Sequence, residues 1–453
     1  MTVLWAEQAL LADGWARGVR IRVDDSGRIA EVAAGQEPEG ERHAILLPAP
    51  ANLHSHAFQR AMAGVTERRG PDPRDSFWTW RQLMYRFLDR LGPEDVEAIA
   101  AFVQMEMLEA GYACNVEFHY LHHRPGGLPY DDLAEMSARI AAAARTTGIG
   151  LTLLPVLYQH GGCDGRALGP GQIRFGNDPE RFARLMDGAR AALAPLPPDT
   201  LLGVAPHSLR AVGPEALGGV VGLGDGPIHM HLAEQLAEVE EVSAARGARP
   251  VRWLLDNAAV DGRWCLIHST QMEPDETLAL AATGAVAGLC PITESSLGDG
   301  IFDGVRWLGA GGRFGIGSDS NIRIALSEEL RTLDYSQRLR DRSRAALARP
   351  DASTGRVLFE GAARGGAQAA GRPSGAIAPG LWADLLALDG AAVDLIGKTG
   401  DTILDAWIFA GDDRMVLDVW SAGRHLVQGG RHIAREAIRA RYVATLGRLK
   451  DAL

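Results

Sequence analysis

Alternating hydrophobic and polar residues mark both ends of the chain. Residues 19–23 and 28–32 alternate, and residues 24–27 between them are typical of a turn, so this part predicts a hairpin. Alternating stretches return after about residue 372, at residues 380–388 and 415–420. Neither end has enough strands for a stable sheet of its own. We therefore expect residues 1–47 and 372–432 to form one small composite β-sandwich-like domain.

The middle of the chain shows short apolar runs that alternate with longer helical segments. This layout is typical of parallel βαβ units. Helices are predicted over residues 93–110, 133–145, 179–194 and, at the C-terminal end, 433–453. Strands are predicted over residues 150–157, 201–206, 227–231, 264–268, 285–290 and 313–319.

About 320 residues of this alternation fit a (β/α)8 barrel over residues 48–371. A doubly wound open sheet is the alternative architecture. It is disfavoured because no G-x-G-x-x-G sequence follows the first strand, and because polar residues from many strand ends converge more readily in a closed barrel.

Histidines and carboxylates stand at the ends of several predicted strands. His54 and His56 form an H-x-H pair, whose side chains point to the same face of a strand. His231, His268 and Asp319 each end a later apolar run. Imidazoles and carboxylates are the ligands that zinc prefers at catalytic sites. The combination predicts a metal centre, although an isolated H-x-H pair would more often be two ordinary loop histidines.

Alternatives remain for individual residues. His229 shares a face with His231, and His231 is the better ligand because it is nearer the strand's C-terminal end. Glu234 is either a proton-transfer group or a solvent-facing acid that opens a helix over residues 233–244. Asp319 is either a ligand or a turn or capping residue. His268 is either a core histidine or part of the site.

Three further side chains suggest an acidic substrate. Arg81, Arg210 and Tyr120 lie near the predicted mouth of the barrel, and arginine binds carboxylates through two parallel hydrogen bonds. The alternative for each arginine is a surface ion pair. Tyr120 lies in a histidine-rich stretch, residues 119–123, which is interpreted mostly as loop structure.

Composition narrows the class of partner. Lys and Arg number 46 against 57 Asp and Glu, a formal charge of -11, which does not favour nucleic acid or an anionic membrane surface. The four cysteines are scattered, without a C-x-x-C pair, a secretory signal or an apolar stretch of transmembrane length. We expect a cytoplasmic protein with reduced thiols and a small-molecule partner.

The motif layout resembles that of the amidohydrolase superfamily of metal-dependent hydrolases, over nearly the whole chain. The H-x-H pair on the first barrel strand, the later histidines and the aspartate after the last strand carry the likeness, as do residues 379–389 in the small domain. Within the superfamily, the chain is similar to the formimidoylglutamate deiminases. That likeness depends on longer strings at residues 52–64, 75–81, 117–123, 205–212, 231–235 and 288–300.

The resemblance implies a set of residue roles. His54, His56, His231 and Asp319 would bind one zinc ion per subunit, while Glu234, His268 and Asp319 would act in catalysis. The residues implied to hold the substrate are Gln59, Arg81, Tyr120, His207 and Arg210.

The same resemblance implies hydrolysis of N-formimidoyl-L-glutamate to N-formyl-L-glutamate and ammonia in histidine degradation, by a homodimer. Two other functions remain open from the residues alone. One is a superfamily deaminase that acts on a purine or pyrimidine base, which the two arginines disfavour. The other is an inactive barrel that serves as a scaffold, which would predict gaps among the ligand residues.

Overall fold

The structure is a computed structural model that describes residues 1–67 and 77–450. The first two residues of the string at 75–81 and the last three of the predicted helix at 433–453 lie outside this range. No helix in the described part of the chain is long and apolar enough to cross a membrane.

The strands are short and follow the predicted runs closely. They are β1 (Thr2–Leu11), β2 (Gly14–Val23), β3 (Ile29–Ala33), β4 (Glu41–Pro48), β5 (Ala51–Ser55), β6 (Cys114–His119), β7 (Gly150–Leu157), β8 (Leu201–Leu202), β9 (Ala205–Pro206), β10 (Ile228–Leu232), β11 (Trp264–His268), β12 (Val286–Leu289), β13 (Arg313–Ile316), β14 (Leu385–Leu388), β15 (Val416–Ser421), β16 (Arg424–Gln428) and β17 (Arg431–His432).

The helices lie mainly between the barrel strands. They are α1 (Phe77–Leu88), α2 (Pro93–Glu109), α3 (Glu135–Thr147), α4 (Pro179–Leu193), α5 (Pro214–Val221), α6 (Leu236–Arg246), α7 (Pro250–Asn257), α8 (Pro274–Ala281), α9 (Pro291–Leu297), α10 (Gly304–Gly309), α11 (Leu326–Asp341), α12 (Thr354–Ala369), α13 (Asp401–Phe409) and α14 (Arg435–Leu449). Short 3-10 helices lie at Ala57–Met62 and Asp413–Met415.

Strands β5 to β13 form a closed barrel of parallel strands. One run has the order β5, β6, β7, β8, with β9 also beside β7, and the other has the order β10 to β13. Backbone bridges Val204–Ile228 and Ser55–Asp319 join the two runs at both edges. The predicted barrel is therefore confirmed, and the alternative of an open sheet is wrong.

Some predicted elements differ in detail. The strand expected at residues 201–206 is interrupted at Gly203, where an added Cβ atom would lie 2.5 Å from the carbonyl oxygen of Pro227. The strand expected at residues 313–319 ends at Ile316, and the helix expected at residues 233–244 begins only at Leu236. Residues 233–235 and 317–319 therefore lie outside the strands and helices, just after β10 and β13 at the mouth of the barrel.

The two ends of the chain form one eight-stranded sheet, as predicted for the small domain. Its order is β17, β16, β15, β14, β4, β1, β2, β3. The junction between the ends is β14, which is antiparallel to both β4 and β15. A separate apolar cluster that includes Leu4, Ile21, Leu46, Leu385 and Trp420 fills one side of this sheet. Neither end of the chain could bury these side chains alone.

A buried ion network connects the small domain to the barrel. Arg372 donates from Nε to Oδ2 of Asp384 over 2.6 Å, and its Nη2 lies 2.9 Å from Oδ2 of Asp199. Arg424 binds the same Asp199 through two hydrogen bonds of 2.7 and 2.8 Å. Burial favours the protonated form of Asp199, but Arg424 and Arg372 outweigh it and lower the pKa of this carboxyl.

We expect Arg372→Met to destabilise the protein by about 3–5 kcal/mol, because it leaves two buried carboxylates without their shared cation. Urea unfolding followed by circular dichroism measures the shift of the midpoint. The matched control is Arg414→Met, since Arg414 is 90% exposed and pairs with Asp412 at the surface; its effect should stay below about 1 kcal/mol. Equal effects of the two substitutions would contradict this role of the network.

Candidate active site

Four buried side chains converge at the mouth of the barrel, where strands β5, β10 and β13 end. His54 is the fourth residue of β5, His56 follows that strand, His231 lies near the end of β10, and Asp319 follows β13. Their ligand atoms lie within 4.8 Å of one another. Nε2 of His54 lies 3.1 Å from Nε2 of His231, and Nε2 of His56 lies 3.2 Å from Oδ1 of Asp319.

Backbone carbonyls orient two of these imidazoles. Nδ1 of His56 lies 3.0 Å from the carbonyl oxygen of Phe118, and Nδ1 of His231 lies 3.2 Å from that of His207. A carbonyl can only accept, so each Nδ1 carries the hydrogen and each Nε2 presents its lone pair to the cluster. Metal-binding histidines are commonly oriented in this way, by a hydrogen bond from the ring nitrogen that does not bind the metal.

The charge state of the cluster also suits a cation. Burial lowers the pKa of His54 to about 3, and burial together with His207 and His54 lowers the pKa of His231 well below its usual value. Burial raises the pKa of Asp319, but the adjacent imidazoles of His54 and His56 outweigh it and hold this pKa well below the ordinary range. Neutral imidazoles whose lone pairs face each other, beside a carboxylate, are suited to a metal ion of the zinc type.

Left-handed turns aim these groups into the barrel mouth. Asp319 has a φ of 47°, His268 of 68° and Ala233 of 51°. The amide of Asp319 donates to the carbonyl of His54 over 2.9 Å, and its carbonyl accepts from the amide of His56 over 2.9 Å. These bonds hold Asp319 in place, so the alternative that it caps helix α11 is wrong; that helix begins at Leu326 with Ala325 as its capping residue.

A second group of titratable side chains lies beside the first. Nε2 of His268 lies 3.6 Å from Glu234 and 3.9 Å from Asp319, while its Nδ1 lies 3.2 Å from Oε1 of Glu294. Burial opposes the charged imidazolium, but these three carboxylates outweigh it and raise the pKa of His268 well above its usual value. Burial also raises the pKa of Glu234, and burial together with Glu234 raises that of Asp299 to about 9. This group can hold and pass protons.

Glu234 lies in a turn that a second glutamate fixes. It is only 5% exposed and precedes helix α6, so the alternative of a solvent-facing acid that opens a helix is wrong. The carboxylate of Glu238 accepts hydrogen bonds from the backbone amides of Ala233 and Glu234 over 3.3 and 3.0 Å. These bonds hold the strained backbone at Ala233 and point Glu234 toward His268.

The same pocket contains a polar wall, formed by Gln59, Arg81, Tyr120, Tyr158, His207 and Arg210. Arg81 donates from Nη2 to the hydroxyl of Tyr158 over 2.7 Å, and Gln59 donates from Nε2 to the hydroxyl of Tyr120 over 2.8 Å. Arg210 lines the same space and is 7% exposed. Burial, Arg210 and Arg81 lower the pKa of His207 well below its usual value, so His207 is a neutral hydrogen-bonding group.

The pocket therefore brings the predicted residues together. Its empty space, together with the solvent at its opening, is about 550 Å³. The predicted residues that line it are His56, Gln59, Arg81, Tyr120, His207, Arg210, His231, Glu234, His268 and Asp319, and His54 lies directly behind them.

Other histidines singled out in the sequence have structural contacts. Nε2 of His229 lies 2.8 Å from the carbonyl of Ala369, below the cluster. His122 and His123 contact the carbonyl oxygens of Val156 and Gly176. Tyr120 is the member of that stretch that reaches the pocket wall.

Sequence reasoning missed several residues of the site. Glu294 and Asp299 lie within the quoted string at residues 288–300, but nothing in their spacing indicates that they contact His268 and Glu234. Tyr158 directly follows β7, so the rule that polar residues gather at strand ends would have found it. Glu238 is the third residue of α6 and looks like a surface helix residue until the preceding turn is known.

Comparisons with known proteins agree with this geometry. The family model described as "Amidohydrolase family" matches residues 45–426, and the one described as "Formimidoylglutamate deiminase HutF, N-terminal domain" matches residues 1–44. A formimidoylglutamate deiminase of Pseudomonas aeruginosa is 50% identical over 456 residues, which cover 100% of both chains.

Solved structures show the same fold. The crystal structure of an amidohydrolase from Brucella melitensis is 50% identical, covers 99% of this chain and 100% of its own, and superposes with a TM-score of 0.95. An adenosine deaminase from Xanthomonas campestris with bound zinc is 22% identical, with coverage of 99% and 98% and a TM-score of 0.82, and this likeness concerns the fold alone. Because a family model spans most of the chain and a full-length relative is 50% identical, the chain belongs to the amidohydrolase family.

Proposed function

We propose that this enzyme hydrolyses N-formimidoyl-L-glutamate to N-formyl-L-glutamate and ammonia, a step of histidine degradation. The full-length relative of the same activity supports the reaction. The observation that carries the proposal is the pocket itself. One wall holds the histidine and aspartate cluster, and the same pocket is lined by the guanidinium groups of Arg81 and Arg210.

One zinc ion per subunit is the proposed cofactor, with His54, His56, His231 and Asp319 as its ligands. The close approach of their ligand atoms and the lone pairs directed into the cluster support this assignment. A bound zinc ion supplies Lewis acidity, which makes a water molecule nucleophilic near neutral pH. The zinc-containing relative with the same fold is consistent with this choice of metal.

The proton transfers fall to three side chains. Asp319, an ionised carboxylate, accepts a proton as the water oxygen adds to the amidine carbon. His268, held through Nδ1 by Glu294, donates a hydrogen bond from Nε2 to the oxygen of the tetrahedral intermediate. Glu234, 3.6 Å from that ring, delivers a proton to the imino nitrogen, and the proton held by Asp319 then passes to the same nitrogen. As the carbon-nitrogen bond breaks and ammonia departs, the carbon-oxygen double bond forms and the hydroxyl proton of the intermediate returns to Glu234, so both carboxyl groups regain their starting states.

Five side chains are proposed to hold the rest of the substrate. Arg81 and Arg210 pair with its carboxylates, and Tyr120, Gln59 and His207 complete the polar wall. All five are buried or nearly so, and buried charge-assisted hydrogen bonds are stronger than those at an exposed surface.

The two rival functions fit the site less well. A 5-methylthioadenosine/S-adenosylhomocysteine deaminase of Natronomonas pharaonis is 24% identical over 90% of this chain and 85% of its own, a much weaker likeness. A neutral purine or pyrimidine base has no carboxylate to pair with Arg81 and Arg210. An inactive scaffold predicts gaps among the ligand residues, whereas the four proposed metal ligands and the proton-transfer group all lie together in the site.

The proposed setting is a cytoplasmic homodimer with this small anionic amino-acid derivative as its partner. The free cysteines Cys114, Cys163, Cys265 and Cys290 support a reducing compartment. The net charge of -11 supports the absence of nucleic-acid and anionic-membrane partners. The dimer is supported by the family resemblance.

The direct test is to incubate the zinc-loaded enzyme with N-formimidoyl-L-glutamate and to measure ammonia and formamide separately. Ammonia in equal amount to N-formyl-L-glutamate is expected. Release of formamide would mean that the other carbon-nitrogen bond is cut, and release of neither would contradict the proposed substrate.

Substitution of Arg210 tests how the substrate is held. Arg210→Gln should raise KM about 30-fold or more, through loss of about 2 kcal/mol of charge-assisted binding, with a much smaller change in kcat. Steady-state kinetics on N-formimidoyl-L-glutamate provide the measurement. Arg190→Gln is the matched control, since Arg190 pairs with Asp187 on the exposed side of α4. An unchanged KM in Arg210→Gln would remove Arg210 from the substrate site.

A further inference from the structure

A second cluster of histidines and carboxylates lies on the small sheet, and none of its members lines the active-site pocket. Glu41 and His43 are on β4, Asp418 is on β15 and His425 is on β16. Strand β14 separates β4 from β15 but pairs with β4 only from Ile45 to Pro48. Asp418 pairs with Ala387 of β14, while Glu41 and His43 lie on the part of β4 that precedes its pairing with β14. Side chains from β4, β15 and β16 meet there.

The four side chains alternate around a ring of acid, imidazole, acid, imidazole. Oε1 of Glu41 lies 3.4 Å from Nε2 of His43 and 3.8 Å from Nδ1 of His425. On the other side, Oδ2 of Asp418 lies 3.7 Å from Nδ1 of His43, and its Oδ1 lies 3.0 Å from Nε2 of His425. Both rings are thus directed at both carboxylates.

Hydrogen bonds alone do not satisfy this ring. A neutral imidazole has one N–H and one lone pair, so a neutral His43 can donate to only one of the two carboxylates that its nitrogens face. His43 is enclosed, with 7% of its side chain exposed, and its Nε2 is buried without a hydrogen-bond partner in the structure. A buried nitrogen in that state is costly unless something else binds its lone pair.

The charge of the cluster also favours a bound cation. In the part of the chain that the structure describes, the ion-pair contacts of Glu41 and Asp418 are to these two histidines, and no arginine or lysine lies within 4.0 Å of either carboxylate. The indole of Trp420 stacks on His425 at 4.3 Å and meets His43 edge-on at 5.1 Å, which fixes both rings. Two carboxylates therefore share this site with two oriented imidazoles and with no arginine or lysine.

We propose that Glu41, Asp418 and His425 form a second metal site, for a divalent transition-metal ion such as Zn²⁺, with His43 beside it. One ligand atom from each of these three side chains lies within 4.8 Å of those of the other two. Imidazole and carboxylate together suit ions of this class. The buried Nε2 of His43 lies 3.4 Å from the carboxylate of Glu41, one of the three ligands.

An ion at this place would connect the two ends of the chain. Glu41 and His43 precede the barrel in sequence, while Asp418 and His425 follow it. The ion reaches the site from solvent past Glu41, whose side chain is 42% exposed. Binding to the folded state alone stabilises that state, so the ion should hold the composite sheet together more firmly.

Calorimetric titration with Zn²⁺ tests the proposal. The holoenzyme, with its catalytic site loaded and loosely bound metal removed, is compared with Glu41→Gln, His425→Gln and the control His160→Gln, which changes another partly exposed histidine. The wild type and the control should bind one further ion per chain, and the two cluster variants should bind it at least tenfold more weakly. Glu41→Gln alters an exposed side chain, so it keeps the test valid if His425→Gln fails to fold.

A thermal-unfolding series gives a second readout. Zn²⁺ should raise Tm of the wild type and of His160→Gln, and it should leave Tm of Glu41→Gln unchanged. Equal uptake by all four proteins, no further uptake by the wild type, or the same Tm rise in every variant would each overturn the second site. Neither readout uses the deiminase reaction, so the outcome is independent of the proposed function.

Discussion

The backbone pairing between the end of β5 and the segment after β13 is the contact on which the site depends. Through it, the carbonyl of His54 and the amide of His56 bind the backbone of Asp319, a residue from the far end of the barrel sequence. The pairing closes the barrel and, by the same hydrogen bonds, places a carboxylate beside two imidazoles. The hydrogen bonds that close the barrel therefore also assemble the cluster of His54, His56 and Asp319.

That placement has an energetic cost, which the surrounding structure offsets. Ala233, His268 and Asp319 adopt left-handed backbone angles, each unfavourable for a residue with a side chain. Burial of several titratable groups adds desolvation. Backbone hydrogen bonds, the capping carboxylate of Glu238 and the closed barrel hold the arrangement.

The sequence predicts those parts of the structure that depend on a local pattern, such as a polar residue at the end of an apolar run. His231 and Asp319 were found because each ends an apolar run, and the choice of His231 over His229 agrees with the depth at which each lies. Glu238 and Glu294 were not found, because their roles depend on where a turn ends and a helix begins. The cluster around Glu41 and Asp418 could not be predicted, since its members lie on three strands, β4, β15 and β16, that only the pairing of the sheet brings together.

In the proposed arrangement, one pocket holds a metal ion at His54, His56, His231 and Asp319 and the substrate carboxylates at Arg81 and Arg210. A crystal structure of the zinc-loaded enzyme with N-formyl-L-glutamate, the proposed product, tests it most directly. We expect zinc bound by His54, His56, His231 and Asp319, the formyl group directed at the ion, and the carboxylates paired with Arg81 and Arg210. A product molecule whose carboxylates contact neither arginine would contradict this arrangement.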